Sequence, residues 1–318
     1  MIHFPAPKEK RLLLNIILLI IGFVLLIKGA DYFVDGASAM ATRLKIPPII
    51  IGLTVVAMGT SAPEAAVSIS SALAGSNAIA IGNVIGSNIA NIFLILGTTA
   101  LISTLTVQKN TVRFEMPFMI FITLLLCWFG MQYGMISRFN AGVFIGLFVL
   151  FLAYLFIISC GNTNTDTSIK QISTIKIISF IIFGLIALIF GSKITVLSAI
   201  DIAQYIGVSE RVIGLTIIAL GTSLPELVTS IIAARKGESD IAIGNIVGSN
   251  IFNILFVLGG AGLILPIPFN SAFLFDGAFA ILAAVLLLAF TFKHKKLGKI
   301  SGVIFLLIYC IYLGCLLV

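Results

Sequence analysis

The chain contains one segment twice. Residues 59–97 read GTSAPEAAVSISSALAGSNAIAIGNVIGSNIANIFLILG, and residues 221–259 read GTSLPELVTSIIAARKGESDIAIGNIVGSNIFNILFVLG. A constant offset of 162 aligns the two segments without a gap, and 22 of their 39 positions are identical. Upstream, IIIGLTVVAMGTS is matched by RVIGLTIIALGTS at the same offset. Similarity at a fixed offset indicates duplication, so we expect the two halves of the chain to fold alike.

The rest of the chain is apolar enough for a membrane. Hydrophobic residues make up 60% of the 318 positions and charged residues only 10%, whereas a soluble domain carries about 25% charged residues. Apolar runs that could cross about 30 Å of hydrocarbon predict an all-α polytopic membrane protein with ten transmembrane helices. The runs are 11–30, 47–73, 79–102, 114–131, 139–160, 173–195, 209–234, 240–265, 272–292 and 299–317.

Five predicted helices separate equivalent points in the two halves. Because five is odd, the second half enters the membrane from the opposite side, and the halves are expected to be inverted repeats. We expect a first repeat at 1–160 with its motif at 47–102, a cytoplasmic linker at 161–172, and a second repeat at 173–318 with its motif at 209–265. Carriers with this symmetry bind substrate at the repeat interface, near the membrane midplane.

Basic residues are distributed unequally between the two sides of the predicted membrane. The loops after predicted helices 1, 3, 5, 7 and 9 hold thirteen Lys and Arg residues, and the other side holds six. The positive-inside rule then predicts a multi-pass plasma-membrane protein with both termini outside, although Lys8, Lys10 and Arg11 oppose this orientation. Scattered charges of this kind do not indicate nucleic-acid binding. The expected partners are the lipid bilayer and transported ions, and no protein partner is implied.

Two carboxylates lie deep in apolar runs. Glu64 falls in the second predicted helix and Glu226 in the seventh, at equivalent positions of the repeat. A charged side chain at such depth costs about 3 kcal/mol even on lenient insertion scales. Two of them at equivalent positions favour a common cavity that binds cations over a pair of protonated packing residues.

Candidate oxygen ligands surround both glutamates. Each follows Gly-Thr-Ser-X-Pro, and the proline frees or tilts the carbonyls three and four residues back. The partner helices carry GNVIGSNIAN and GNIVGSNIFN, in which the Ser and the last Asn share one helical face. These patterns supply the hydroxyls and amides of Thr60, Ser61, Thr222, Ser223, Ser87, Asn91, Ser249 and Asn253. Whether Asn83, Asn88, Asn245 and Asn250 bind or only pack is left open.

Oxygen ligands with two negative charges suit hard cations. Calcium takes about six to eight oxygens, and the lack of sulfur and imidazole disfavours zinc and copper. Two carboxylates would neutralise one calcium ion, or two or more sodium ions that share the same oxygens. A site that serves both ions, but never together, is the physical basis of exchange. No cofactor is expected beyond the transported Ca²⁺ and Na⁺, and we hypothesise that the empty site cannot change sides.

The repeated GTS-x-PE and GN-x-x-GSN-x-x-N motifs resemble the alpha repeats of the sodium/calcium exchanger family, within the calcium/cation antiporter superfamily. The resemblance implies a compact prokaryotic-type sodium/calcium antiporter that works by alternating access, with predicted helices 1 and 6 as the sliding bundle. It implies calcium ligands from Glu64, Glu226 and the carbonyls of Thr60 and Thr222, with Asn91 and Asn253 beside them. It implies one sodium site with Ser61, Ser87 and the Ala57 carbonyl, and another with Ser223, Ser249 and the Ala219 carbonyl. The calcium ligands Thr60, Glu64, Thr222 and Glu226 are expected to bind sodium as well.

Three alternatives remain open. A proton-driven calcium antiporter could use the same two glutamates, and a cation channel could be built on the same symmetry. An intramembrane enzyme is disfavoured because the deep Ser and Thr residues have no histidine nearby. Many members of the sodium/calcium exchanger family carry aspartate where this chain has Asn253, and potassium-dependent exchangers do so characteristically. The asparagine here therefore makes potassium co-transport a weaker expectation.

Overall fold

The computed structural model describes residues 8–161, 173–208 and 219–317, and almost all of them are helical. The helices, with short π-helical turns included, are α1 (Lys8–Leu44), α2 (Pro48–Thr60), α3 (Ala62–Leu73), α4 (Ile79–Ile102), α5 (Thr111–Tyr133), α6 (Arg138–Cys160), α7 (Thr174–Tyr205), α8 (Leu224–Arg235), α9 (Ser239–Ile264), α10 (Phe273–Phe292) and α11 (Lys299–Leu316). A single helical turn, Ala219–Gly221, precedes α8.

The predicted all-helical polytopic architecture is confirmed, but the count of ten is not reached. Within the described ranges, eight helices are long and apolar enough to cross a membrane, or nine if the bent pair α2 and α3 forms one span. The corresponding span of the second half was predicted at 209–234, and its residues 209–218 lie outside the described ones. The linker predicted at 161–172 also lies outside them, apart from its first residue. A tenth span therefore stays a prediction.

Helix α1 is longer than its apolar run at 11–30 predicted, because it continues to Leu44. Asp31 and Asp35, which follow the apolar run, are therefore on the helix itself. A hydropathy window detects only the part of a helix that suits hydrocarbon, whereas the helix ends where the backbone must turn. Here Lys45 adopts a left-handed conformation (φ 56°), and Pro47 and Pro48 follow, which disfavour helix in the residue before them.

The break between α2 and α3 is the kink that Pro63 predicted. The two helices meet at 49°, and Ser61 at the junction has left regular helical geometry (φ −81°, ψ 7°). Pro63 lies in the first turn of α3, where a missing N–H costs little. The second half repeats the arrangement, since Ser223 has φ −88° and ψ 6° and Pro225 lies in the first turn of α8. Both glutamates therefore begin a helix just past a break.

Helices α4 and α9 form the centre of the protein. The most apolar 18-residue window of α9 is 94% buried and that of α4 is 72% buried, against 17% for α1. Large apolar side chains such as Leu13 on α1, Phe156 on α6 and Phe183 on α7 are exposed, as expected of surfaces that face lipid. The helices that carry the GSN motifs are thus the least accessible in the described structure.

Helices α1 and α7 form a close pair. A Cβ atom added to Gly29 would lie 2.8 Å from the backbone nitrogen of Leu188, and one added to Gly184 would lie 2.7 Å from that of Phe33. Small residues at such points allow two backbones to approach within van der Waals contact. These are the helices that correspond to the predicted sliding bundle, and their tight packing is suited to movement as one body.

Two short antiparallel ribbons connect the halves. Strand β1 (Leu105–Thr106) pairs with β4 (Lys296–Leu297), and β2 (Met135–Ile136) pairs with β3 (Ile267–Pro268). Each ribbon takes one strand from each half of the chain. The ribbons therefore tie the loop connections of the halves together.

Candidate ion-binding site

The two deep glutamates are bound to serines of the opposite half. Ser223 donates its hydroxyl to Glu64 Oε1 at 2.9 Å, and Ser61 donates to Glu226 Oε1 at 2.8 Å. Both glutamates are fully buried, with 1% and 0% of their surface exposed, and their carboxylates interact electrostatically. Because each serine precedes the glutamate of its own half by three residues, the two reciprocal bonds bring both carboxyl groups into one site between α3 and α8.

Several buried oxygen atoms of the predicted ligands have no hydrogen-bond partner among the described residues. They are Glu64 Oε2, Glu226 Oε2, Asn91 Oδ1, Asn253 Oδ1, Ser87 Oγ and Thr222 Oγ1. Leaving a buried polar atom unpaired costs about 1–3 kcal/mol, and an isolated buried charge costs more. All six belong to residues predicted to bind or adjoin ions. An oxygen set with two carboxylates is what a hard cation such as calcium or sodium requires.

Asn83 and Asn245 have a role that the sequence left open. Asn83 donates to Ser68 Oγ at 2.9 Å and to the Glu64 carbonyl at 3.3 Å. Asn245 makes the equivalent bonds, to Ser230 Oγ at 3.0 Å and to the Glu226 carbonyl at 3.4 Å. These amides fasten the glutamate helices α3 and α8 to the central helices α4 and α9. Both are therefore anchors of the site, and their amide nitrogens are occupied by protein acceptors.

Thr60 is held against the opposite half. Its hydroxyl lies 2.9 Å from Asn245 Oδ1 and 3.1 Å from the Val56 carbonyl, and the residue is completely buried. Since the Asn245 amide nitrogen donates elsewhere, its Oδ1 accepts from the threonine. The hydroxyl of Thr60 is therefore engaged by protein acceptors. Its carbonyl, at the end of α2 beside the break, is the group that the sequence predicts as a ligand.

Two of the remaining predicted ligands, Ser249 and Ala57, meet across the halves. Ser249 Oγ lies 3.4 Å from the Ala57 carbonyl, although the sequence grouped Ala57 with Ser87. The close approach depends on Gly248, where a Cβ atom would lie 2.7 Å from the Leu53 carbonyl. Glycine at this point of the GSN motif lets the backbone of α9 contact α2. Ala219, whose carbonyl is the repeat equivalent, opens the turn before α8.

Four asparagines form a symmetric network between α4 and α9. Asn88 Nδ2 donates to the Asn250 carbonyl at 3.1 Å, and Asn250 Nδ2 donates to the Asn88 carbonyl at 3.2 Å. Asn91 Nδ2 donates to Asn250 Oδ1 at 2.9 Å, and Asn253 Nδ2 donates to Asn88 Oδ1 at 3.1 Å. Asn91 and Asn253 each open a π-helical turn, a local widening of the helix that is frequent at functional sites.

Comparison with known proteins decides the family. The model of the sodium/calcium exchanger protein family matches residues 14–157 and 176–318. The chain belongs to the sodium/calcium exchanger family.

Two curated relatives cover nearly the whole chain of this family member. The putative antiporter CaxA of Alkalimonas amylolytica is 40% identical over 313 residues, which span 95% of this chain and 98% of the relative. The sodium/calcium exchanger MaX1 of Methanosarcina acetivorans is 33% identical over 340 aligned positions, which span 94% of this chain and 97% of the relative.

A solved structure of the sodium-calcium exchanger NCX_Mj, soaked with Na⁺ and Sr²⁺, superposes on this exchanger with a TM-score of 0.84 at 31% identity. The match covers 95% of this chain and 99% of that one. The resemblance to a compact prokaryotic-type exchanger is thereby confirmed, and the protein is a cation antiporter of the membrane. The roles of individual site residues stay predictions.

One buried carboxylate of the exchanger received no role from the sequence. Glu115, placed near a span end, is only 4% exposed in α5 and accepts a hydrogen bond from Tyr154 of α6 at 2.8 Å. The second half has a similar pair, in which Tyr312 donates to Asp276 at 2.9 Å. The sequence pattern that could have indicated both pairs is an acidic residue early in one helix, α5 or α10, and a tyrosine in the helix that follows it. Neither pair bonds to a predicted ion ligand among the described residues.

An ion-pair cluster joins α1 to the turn after α8. Lys236 Nζ lies 2.6 Å from both Asp31 Oδ1 and Asp35 Oδ1, and Ser38 donates to Glu238 at 2.6 Å. Partial burial lowers the pKa of Lys236, but the two aspartates outweigh this effect and hold that pKa above its ordinary value of 10.5. The cluster links α1, a helix of the predicted sliding pair, to the turn that follows α8, the helix that carries Glu226.

Proposed function

We propose that this exchanger moves sodium in one direction and calcium in the other across the plasma membrane by alternating access, with Glu64 and Glu226 as shared ligands. The observation that carries the proposal is the pair of reciprocal bonds from Ser61 to Glu226 and from Ser223 to Glu64. These bonds bring both negative charges together, and Oε2 of each glutamate is buried without a hydrogen-bond partner among the described residues. Two full charges neutralise one Ca²⁺, which offsets the cost of burying them.

The calcium ligands we propose are the free oxygens Oε2 of Glu64 and Glu226 and the carbonyls of Thr60 and Thr222. Each of those carboxylate oxygens is buried and unpaired, while its companion Oε1 is held by a serine. A carboxylate fixed through one oxygen presents the other in a constant direction, which lowers the entropy lost when the ion binds. Asn91 and Asn253 contribute their unpaired amide oxygens beside the glutamates.

We propose sodium sites on both flanks of the calcium position, each built from both halves. The contact between Ser249 and the Ala57 carbonyl supports one such site, which Ser61 and Glu226 complete. Its repeat equivalent would combine Ser87, the Ala219 carbonyl, Ser223 and Glu64. Ser87 Oγ is buried without a partner, as a hydroxyl reserved for an ion would be. Sodium on both flanks uses the two carboxylates that calcium needs, so the ions exclude each other.

We propose ten transmembrane helices in two inverted five-helix repeats, with both termini outside. Pairs of hydrogen bonds related by the offset of 162 support the inversion, as the bond from Asn83 to Ser68 matches that from Asn245 to Ser230. The two mixed ribbons support it as well, since each half lends one strand to each. Alternating access then consists of the two halves exchanging their conformations while α1 and α7 slide across the site.

Reconstitution into lipid vesicles tests the proposal. An outward sodium gradient should drive calcium uptake by purified exchanger, while a pH gradient without sodium should not. Uptake that follows only the pH gradient would replace sodium by protons as the coupling ion. Passive calcium flux with no counter-ion on the far side would indicate a channel instead.

Two variants test the ligands. Glu64→Gln and Glu226→Gln should each abolish exchange, because the amide keeps the size of the side chain but removes one of two charges. Glu115→Gln is the matched control, since it neutralises another buried carboxyl group of a membrane helix, one that accepts a hydrogen bond from Tyr154. Normal turnover in Glu64→Gln or Glu226→Gln would remove that residue from the site.

A further inference from the structure

We propose that Asn88 and Asn250 are positioning residues that orient the amides of Asn253 and Asn91, so that both amide oxygens face the transported cation. The inference rests on the proposed function and adds two residues that the sequence could not separate from packing groups. All four asparagines are buried, with at most 4% of their surface exposed. The orientation of each amide follows from its hydrogen bonds alone.

The argument begins at two backbone carbonyls. Asn88 Nδ2 is bound to the carbonyl of Asn250, and Asn250 Nδ2 to the carbonyl of Asn88. A carbonyl oxygen accepts hydrogen bonds and never donates them, so only the NH₂ group of each side chain can face it. Turning either amide by 180° would set two acceptors against each other. The backbone therefore fixes the orientation of Asn88 and Asn250.

The second step transmits this orientation to the site. With its nitrogen committed, Asn88 offers only Oδ1 to Asn253, and Asn250 offers only Oδ1 to Asn91. Asn253 and Asn91 must then donate their NH₂ groups, which leaves Oδ1 of each at the opposite edge of the planar amide group. Both of these oxygens are buried and have no partner among the described residues. The network thus presents two acceptors, and no donor, to a bound cation.

The arrangement has a chemical consequence. An unrestrained asparagine beside the glutamates would turn its NH₂ group toward a carboxylate, because amide donors bind charged acceptors strongly. Such a turn would replace a cation ligand by a positively polarised group. Each orienting hydrogen bond joins the two halves, since Asn88 accepts from Asn253 and Asn250 accepts from Asn91. The cation-facing amides thus depend on contact between α4 and α9, not on either helix alone.

A double-mutant cycle tests the assignment. Calcium affinity is measured by calorimetric titration of the purified full chain in sodium-free detergent buffer, with calcium chloride as the ligand. Asn88→Ala should weaken calcium binding about tenfold, the effect of losing roughly one oriented polar contact. In a chain that already carries Asn253→Ala, Asn88→Ala should cause no further loss, because no amide remains to be oriented.

The other half supplies the matched control. Asn88→Ala combined with Asn91→Ala should give the product of the two separate effects, because Asn91 is held by Asn250 and not by Asn88. The pair Asn250 and Asn91 provides an independent second cycle. Should Asn88→Ala fail to elute as a single folded species, that cycle and the smaller change Asn88→Ser still decide the question.

Three results would overturn the proposal. If the fold-losses of calcium affinity in Asn88→Ala and Asn253→Ala multiply in the double variant, Asn88 only packs. Unchanged affinity in Asn88→Ala, with weaker binding in Asn253→Ala, would show that Asn253 needs no support. Unchanged affinity in Asn253→Ala would leave no ligand to position. In each case the proposed function is judged separately, by Glu64→Gln and Glu226→Gln in the vesicle assay.

Discussion

Removal of the Ser223 hydroxyl probes the contact between the halves most directly. Ser223→Ala deletes the donor that lies 2.9 Å from Glu64 Oε1, at a residue that is 4% exposed. A hydrogen bond to a charged group contributes about 1.5–3 kcal/mol, and about 1.4 kcal/mol corresponds to a factor of ten. We therefore expect calcium affinity to fall by about 10- to 100-fold. The loss arises because Glu64 is no longer held with Oε2 toward the ion.

Calorimetric titration with calcium chloride measures this loss of affinity. One further variant should reproduce the loss, and another serves as the control. Ser61→Ala should match Ser223→Ala, because Ser61 makes the equivalent bond to Glu226 at 2.8 Å. Thr123→Val is the control, since it removes a buried hydroxyl that donates to the Met119 carbonyl of its own helix at 2.7 Å. Unchanged affinity in Ser223→Ala, with binding lost in Glu64→Gln, would refute the idea that the serine holds the ion-bound carboxylate.

Three further perturbations give distinct expectations. Asn253→Asp should make calcium uptake more sensitive to acid, because a third carboxyl group in the cluster tends to hold a proton; an unchanged pH profile would count against a central position for Asn253. Gly248→Ala should lower the free energy of unfolding by about 1–3 kcal/mol through overpacking, since the new Cβ atom would lie 2.7 Å from the Leu53 carbonyl. Gly146→Ala, at an exposed glycine with open space around it, should not lower it. Equal melting temperatures of the two variants would contradict this expectation. Lys236→Ala should cost about 0.2–1 kcal/mol for each lost ion pair. Because the pKa of Lys236 is raised above 10.5, that contribution is fully present below pH 10.5 and is lost as the pH rises through the raised value, so wild type and variant should converge in unfolding experiments at high pH.

Local pattern predicted some features well and others poorly, for identifiable reasons. The kink at Ser61 followed from Pro63, because a missing N–H acts within one helical turn. The end of α1 at Leu44 did not follow from hydropathy, because polar residues can continue a helix beyond the hydrocarbon. The burial of Glu115 was equally hidden, since it depends on the position of Tyr154 in another helix.

Duplication, membrane insertion and two equivalent deep carboxylates could be derived from the order of the residues alone, because each rests on composition or on the spacing of similar segments. Tertiary structure alone decided which groups meet. Ser61 serves Glu226 rather than the neighbouring Glu64, and Asn88 orients Asn253 rather than Asn91. Residues three apart on one helix lie on the same side of it, so their partners come from the element packed opposite. The identity of the opposite element depends on how the two halves pack together, and a local sequence pattern contains no information on that packing.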